Sequence, residues 1–345
     1  MRSLLAGIIV VLALATHVAS RADAAPRGFF GVVSQAELGE HDFERMRQGR
    51  VASLRIALSW ESVQPGPATW NWAPVDAIVA GAAAEGVRTF PFVYATPGWV
   101  ASDPARPPLD SPEARQAWRT FLAALVDRYG PNGELWEDEP NALPIRRWQV
   151  WNEPNFPLYW QPRPSPREYA QLLDLSAQTI RSSDPKAKIV AAGLAPVTTG
   201  PWPWDYLEDL YRQEGVERNF DEVAIHPYSR DMRGIRLQVR RARKVMRAAG
   251  DGRTKLAVTE LGIGSRGPGR TSERLQARYL RQAFAYMERK RRSMSISGVD
   301  WYAWQDTDNV EPGCSFCPSS GLFSATGEPK LAWSAFKAYS ARGDG

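Results

Sequence analysis

Strand-like and helix-like runs alternate eight times along the sequence, and this rhythm restricts the fold more than any other feature. Apolar, β-branched or aromatic runs occur at 28–34, 51–58, 87–94, 145–152, 187–194, 220–227, 255–262 and 296–304. Amphipathic helical patterns lie between them, near 36–48, 73–86, 112–129, 166–183, 204–214, 232–249, 271–291 and 331–341. Near-continuous apolar strands separated by helices imply parallel pairing with both sheet faces covered. A doubly wound sheet would also alternate, but eight units in about 320 residues suit a closed (β/α)₈ TIM barrel better. No Gly-x-Gly-x-x-Gly follows the first strand, which removes a dinucleotide-binding reading. No low-complexity linker divides the chain, so residues 25–345 are expected to form a single α/β domain.

The N-terminus sets the expected compartment. Arg2 precedes the run LLAGIIVVLALA, and Ala22-Asp23-Ala24 supplies an A-x-A site, so residues 1–24 are expected to be a secretory signal peptide. The alternative is a membrane anchor, since Ser3 to Ser20 is uncharged and close to spanning length. No second run approaches that length. With 43% hydrophobic residues the chain can fill a large core.

The formal net charge is +5, or +4 once Arg2, Arg21 and Asp23 leave with the leader. The densest basic run, RGIRLQVRRARKVMR from Arg233, has Ile235, Val239, Ala242 and Met246 on one helical face, leaving the arginines on the solvated side. That pattern needs no nucleic acid; an anionic polysaccharide or cell surface is a permissible partner. Cys314 and Cys317 are the only cysteines, and His41 and His226 the only histidines outside the leader. A zinc ribbon needs a second close pair of ligands beside the cysteines, and His41 and His226, 185 positions apart, do not form one. No metal and no organic cofactor are expected, and the cysteine pair reads as a small disulfide loop in an oxidising compartment.

Barrels of this type place function at the C-terminal ends of their strands. There the sequence sets Arg55 on the second strand, Trp99 after the third, Asn152 and Glu153 at the fourth, and His226 and Tyr228 at the sixth. Glu260 ends the seventh, and Trp304 belongs to the eighth. WQVWNEPNF (148–156) could be a strand running into a turn, since Asn and Pro are ordinary turn residues. Two acids at strand ends are costly to bury unless paired or functional. Carboxyls about 5 Å apart across the mouth would match retaining glycoside hydrolysis. Of fourteen tryptophans, Trp99, Trp304 and Trp160 are the candidates for stacking on sugar rings.

Trp-Asn-Glu-Pro-Asn at strand four with Thr-Glu-Leu-Gly at strand seven, Glu260 lying 107 positions after Glu153, resembles clan A of the retaining glycoside hydrolases. LRIALSWESVQP, WNWAPVDAIVAGAAAEGVRTFPFVYATPGW and GLFSATGEPKLAWSAF are similar to stretches of families 39, 42 and 5. Family 39 enzymes often carry an added β-sandwich with no counterpart here, so the likeness is closer to the clan than to one family. The resemblance implies a (β/α)₈ enzyme on a carbohydrate substrate with Glu153 as acid/base and Glu260 as nucleophile. It also implies that Asn152 holds the hydroxyl beside the anomeric carbon and Arg55 bonds the nucleophile. His226 and Tyr228 would line the site, and Trp304 would form a sugar platform. A transglycosidase on cell-surface glycan, or a carbohydrate-binding barrel without turnover, would use the same residues.

Overall fold

The computed structural model describes residues 24–34, 36–137, 139–267, 272–308 and 314–343; the expected leader lies outside them, apart from Ala24. Eight parallel strands close into a barrel in sequence order: β1 (Phe30–Ser34), β2 (Ser53–Ser59), β3 (Arg88–Tyr94), β4 (Arg147–Val150), β5 (Lys188–Leu194), β6 (Glu222–Ile225), β7 (Lys255–Leu261) and β8 (Ile296–Tyr302). β8 returns to β1 in register Val32↔Trp301, which closes the ring.

The surrounding helices are α1 (Glu40–Gln48), α2 (Trp60–Val63), α3 (Ala73–Ala84), α4 (Pro112–Tyr129), α5 (Pro166–Ser183), α6 (Pro203–Tyr211), α7 (Met232–Ala248), α8 (Glu273–Lys290) and α9 (Leu331–Ser340). Their starts follow local chemistry. Ser111 and Ser165 cap α4 and α5 through their hydroxyls, with Pro112 and Pro166 at the first helical position. The one-turn helix α2 was not expected from the sequence. Ser59 caps it by accepting from the Ser62 amide, so strand β2 runs straight into it.

Alternation along the strands sorts the core. Leu54, Ile56 and Leu58 are buried outward against the helices, while Arg55 on the same strand meets Gln149 and Glu260 inside the barrel. At the base of the barrel Arg147 makes a two-bond pair with Glu222 (3.0 and 2.8 Å) and lies over Phe90 (3.8 Å to the ring centre). Above it Phe90, Val190, Ala224 and Ala257 form an apolar layer. The ionic groups at the mouth thus stand on an apolar layer. On α7 Ile235, Val239, Ala242 and Met246 face inward as expected. Arg243 departs from the expected solvated side: it is 2% exposed, and its Nη1 donates to the Thr254 carbonyl at 2.9 Å.

Candidate active site

Glu153 reaches the mouth because the chain leaves the barrel ladder abruptly. β4 ends at Val150, two residues before the expected 152. Trp151 (φ 64°) and Glu153 (φ 44°) then adopt left-handed backbone, which costs energy for side chains other than glycine and concentrates at functional sites. Neighbouring groups hold this turn. The Trp151 amide donates to the Val93 carbonyl (2.8 Å). The buried Tyr169 hydroxyl donates to the Val150 carbonyl (2.8 Å) and accepts from the Ala192 amide (2.5 Å). Asn155, fully buried, donates to the Ala195 and Pro201 carbonyls and accepts from the Ala195 amide.

Glu260 is the penultimate residue of β7 and is 6% exposed. Arg55 Nη1 donates to its Oε1 at 2.6 Å, and the Tyr228 hydroxyl donates to its Oε2 at 2.6 Å. Arg55 has no exposed surface. Its other nitrogens donate to Gln149 Oε1 (3.2 Å each) and to Asn152 Oδ1 (3.0 Å), and its guanidinium lies 4.1 Å from the centre of the Phe92 ring. A buried guanidinium with these partners is a fixed positive charge beside the carboxylate.

His226 joins the two acids. Nδ1 lies 2.7 Å from Glu153 Oε1 and 3.5 Å from Glu260 Oε2, and Nε2 lies 3.0 Å from Thr259 Oγ1. Burial, then the Arg55 charge, holds its pKa well below the usual imidazole value, so the ring is neutral. A neutral ring offers one donor and one acceptor, and the tautomer decides which nitrogen faces Glu153. Burial, then the Glu260 charge, pushes the Tyr228 phenol well up, which keeps it a donor.

Expected residues Arg55, Asn152, Glu153, His226, Tyr228 and Glu260 come together in this cluster. The aromatic expectations fare differently. Trp304 is a correction: it is fully buried, donates to Asp42 Oδ1 (3.0 Å) and packs between Phe323 and Trp333, so neither face can receive a sugar. Trp160 is likewise buried, its indole N–H donating to Glu168. Trp99 is half-buried, donating to the Gln64 carbonyl (3.0 Å) and packing edge-on against Trp60. Cys314 and Cys317 form a disulfide. Phe316, inside that small loop, packs on Tyr228 with ring centres 5.0 Å apart.

Sequence reasoning missed the supports. Gln149 accepts twice from Arg55 and donates to the Trp151 and Ala192 carbonyls, so all its polar atoms are used. Its signal was a lone amide in an apolar strand. Gly193 (φ 85°) sits at a shift in β5 register, where a Cβ would come within 2.9 Å of both Gln149 Nε2 and His226 Nε2. Beside the cluster a cavity of about 620 Å³ opens over the ends of β2, β3 and β4, lined by Tyr94, Trp151 and Tyr159 with Glu61 and Asp103.

Glu153, His226 and Glu260 each offer a ligand atom, all within 4.8 Å of one another, the geometry of a candidate cation site. The donor set fits a metal poorly. Glu260 already receives the Arg55 cation and the Tyr228 hydroxyl on its two oxygens, and a divalent ion would face that guanidinium across the same carboxylate. What the cluster offers is one acid fixed by two donors and a second acid facing a neutral imidazole.

Known structures share this architecture. A family 39 glycoside hydrolase from Bacteroides cellulosilyticus WH2 is 19% identical with a TM-score of 0.66; the match covers 93% of this chain and 64% of that one. The chain thus spans just under two thirds of that enzyme's length. A monomeric β-xylosidase from Caulobacter crescentus CB15 is also 19% identical (TM-score 0.66), with 91% and 68% of the two chains covered. A GH5_18 protein from Streptomyces cattleya in complex with GlcNAc is 15% identical (TM-score 0.66), with 92% and 80% covered. At such identities the likeness is one of fold. No curated protein matches the chain by sequence. The glycosyl hydrolase catalytic core model matches residues 144–336, more than half of the chain and including both glutamates, and the protein belongs to that family.

Proposed function

We propose that the protein is a retaining glycosidase that cleaves O-glycosidic bonds in a β-linked oligo- or polysaccharide. The observation that carries this reading is the separation of the two acids: an oxygen of Glu153 and an oxygen of Glu260 lie within 4.8 Å. Retaining enzymes hold their carboxyls about 5–5.5 Å apart, whereas inverting ones leave roughly 6.5–9.5 Å for a water molecule. Glu260, oriented by Arg55 and Tyr228, attacks the anomeric carbon while Glu153 gives its proton to the departing oxygen. That forms a glycosyl ester on Glu260. Water then attacks the same carbon, Glu153 takes its proton, and Glu260 leaves as a carboxylate. The His226 ring can accept from protonated Glu153 or donate to its carboxylate, according to tautomer, and so serves both halves of the cycle. Asn152, held by Arg55 at 3.0 Å, is placed to bind a sugar hydroxyl near the attacked carbon. The aromatic cavity beside it is the place for further sugar rings.

The leader pattern and the disulfide support action outside the cytoplasm. Among the described residues no helix is long and apolar enough to cross a membrane. The reading is tested with aryl β-xylosides, β-glucosides and β-mannosides and a panel of β-glycans, following the anomer first released by NMR. Release of the β-anomer, unaffected by EDTA, is expected. First release of the α-anomer, or loss of turnover on chelation without unfolding, overturns the mechanism.

A further inference from the structure

Charge is distributed very unevenly around the barrel. Helix α7 carries seven Lys and Arg residues and no acid, and α8 carries five against two glutamates. Together they hold +10, while the whole chain sums to +5, so all other residues together are −5. Arg236, Arg240, Arg241 and Lys244 on α7 are exposed, and none of them has a carboxylate within ion-pair distance among the described residues. Such a one-sided field attracts polyanions.

One part of this face is concave. A groove of about 640 Å³ lies between α6 and α7, away from the catalytic glutamates, lined by Trp204 and Tyr211 on one side and Arg241 and Lys244 on the other. The Arg241 guanidinium lies 5.0 Å from the centre of the Trp204 ring, and Trp204 stacks on Trp202 with an interplanar angle of 7°. Trp202 is 48% exposed, an unusual cost for the largest side chain. Asp205 and Glu208 also line the groove, but Glu208 is taken by Arg212 at 2.9 Å.

We infer that the α6–α7 groove is a second saccharide-binding site, separate from the catalytic centre, and that its ligand is a carboxylate-bearing glycan such as a polyuronate. The exposed indole of Trp202, which stacks on Trp204 at the edge of the groove, suits the C–H face of a sugar ring. Arg241, held over the Trp204 ring, and Lys244 meet its carboxylate. The basic residues line a concave groove rather than an open face, which favours an extended anionic chain. The choice of a glycan rests on the glycosidase reading, but the site needs no turnover to be detected.

Oligogalacturonate binding to the full chain, measured by calorimetry at low and moderate salt, tests it. Aryl-glycoside turnover is followed separately on the same variants, so that a failed binding site and a failed glycosidase reading are distinguishable. We expect oligogalacturonate to bind, a neutral cello-oligosaccharide to bind at least about tenfold more weakly, and Arg241→Ala/Lys244→Ala to lose about tenfold in affinity. Trp204→Leu should lose affinity for the glycan with aryl-glycoside turnover unchanged. Lack of oligogalacturonate binding at low salt overturns the proposal. So does undiminished binding by Arg241→Ala/Lys244→Ala, or equally tight binding of oligothymidylate or anionic phospholipid vesicles that is indifferent to Trp204→Leu.

Discussion

The Tyr228 hydroxyl donates to Glu260 Oε2 at 2.6 Å, so that with Arg55 on Oε1 both oxygens of one carboxylate are occupied. Two donors of this kind fix the orientation of the Glu260 carboxylate. They must also yield as Oε attacks, since one oxygen becomes an ester. Tyr228 is the donor that can withdraw, because its phenol is neutral, whereas Arg55 is locked by Gln149 and Asn152.

Tyr228→Phe removes that one bond and leaves the ring packing. Losing a hydrogen bond to a charged group costs about 1.5–3 kcal/mol, so kcat/KM should fall by roughly 10- to 150-fold. Most of the loss should lie in kcat, because the bond orients the nucleophile and does not hold the substrate. An unchanged kcat in steady-state assays on an aryl glycoside would show that Arg55 suffices alone.

The Cys314–Cys317 loop supports the same tyrosine through Phe316. A bridge across two intervening residues constrains little of the unfolded chain, less than the ~3 kcal/mol of a 15-residue loop. Cys314→Ala/Cys317→Ala should therefore melt within a few degrees of the parent, yet lose activity several-fold as Phe316 loosens from Tyr228. Paired thermal melts and kinetics separate the two effects. A large drop in melting temperature with normal activity would reverse the assignment.

Asp300, buried at the barrel base, has its pKa pushed up to about 6 by burial, against the opposing pull of Arg147, Arg55 and a hydrogen bond from Ser53. The folded protein therefore holds this proton more tightly than the unfolded chain, whose aspartate titrates near 3.9. Stability conferred by the neutral form is present below about pH 4 and falls as pH rises to about 6, by on the order of 3 kcal/mol. Asp300→Asn imitates the neutral form and keeps an acceptor for Ser53. It should raise the urea midpoint at pH 7.5 and leave it nearly unchanged at pH 4. A lower midpoint at pH 7.5 would mean that the charged form is stabilised by Arg147 after all.

Eight strands and their helices could be read from the sequence because apolar runs and amphipathic faces are local signals, and the barrel adds only their order. The glutamates could be read because acids at strand ends conflict with burial. Gln149, Thr259 and Gly193 could not: each acts through a neighbour far away in the chain, and nothing local distinguishes a buried amide or a bulge glycine from an ordinary one. Trp304 failed for the opposite reason. A tryptophan at a strand end looks the same in sequence whether it faces solvent or, as here, Phe323 and Trp333.

The two glutamates should be separable by how their loss is repaired. Glu260→Ala removes the attacking oxygen, so neither natural nor activated substrates can form the glycosyl ester. Azide entering the vacated space between Arg55 and Tyr228 would attack from that side and give a glycosyl azide of inverted configuration. Glu153→Ala keeps the nucleophile, and an activated aryl glycoside needs no proton for its leaving group, so the ester forms and then persists. Azide, needing no general base, would release it from the opposite side with net retention. His226 also loses its 2.7 Å contact in Glu153→Ala, and the pH dependence of the first step should flatten on the activated substrate. Product stereochemistry by NMR reads the outcome directly. Opposite stereochemistries from the two variants would exchange the roles, and wild-type turnover of a natural glycan by either would end the two-carboxylate mechanism.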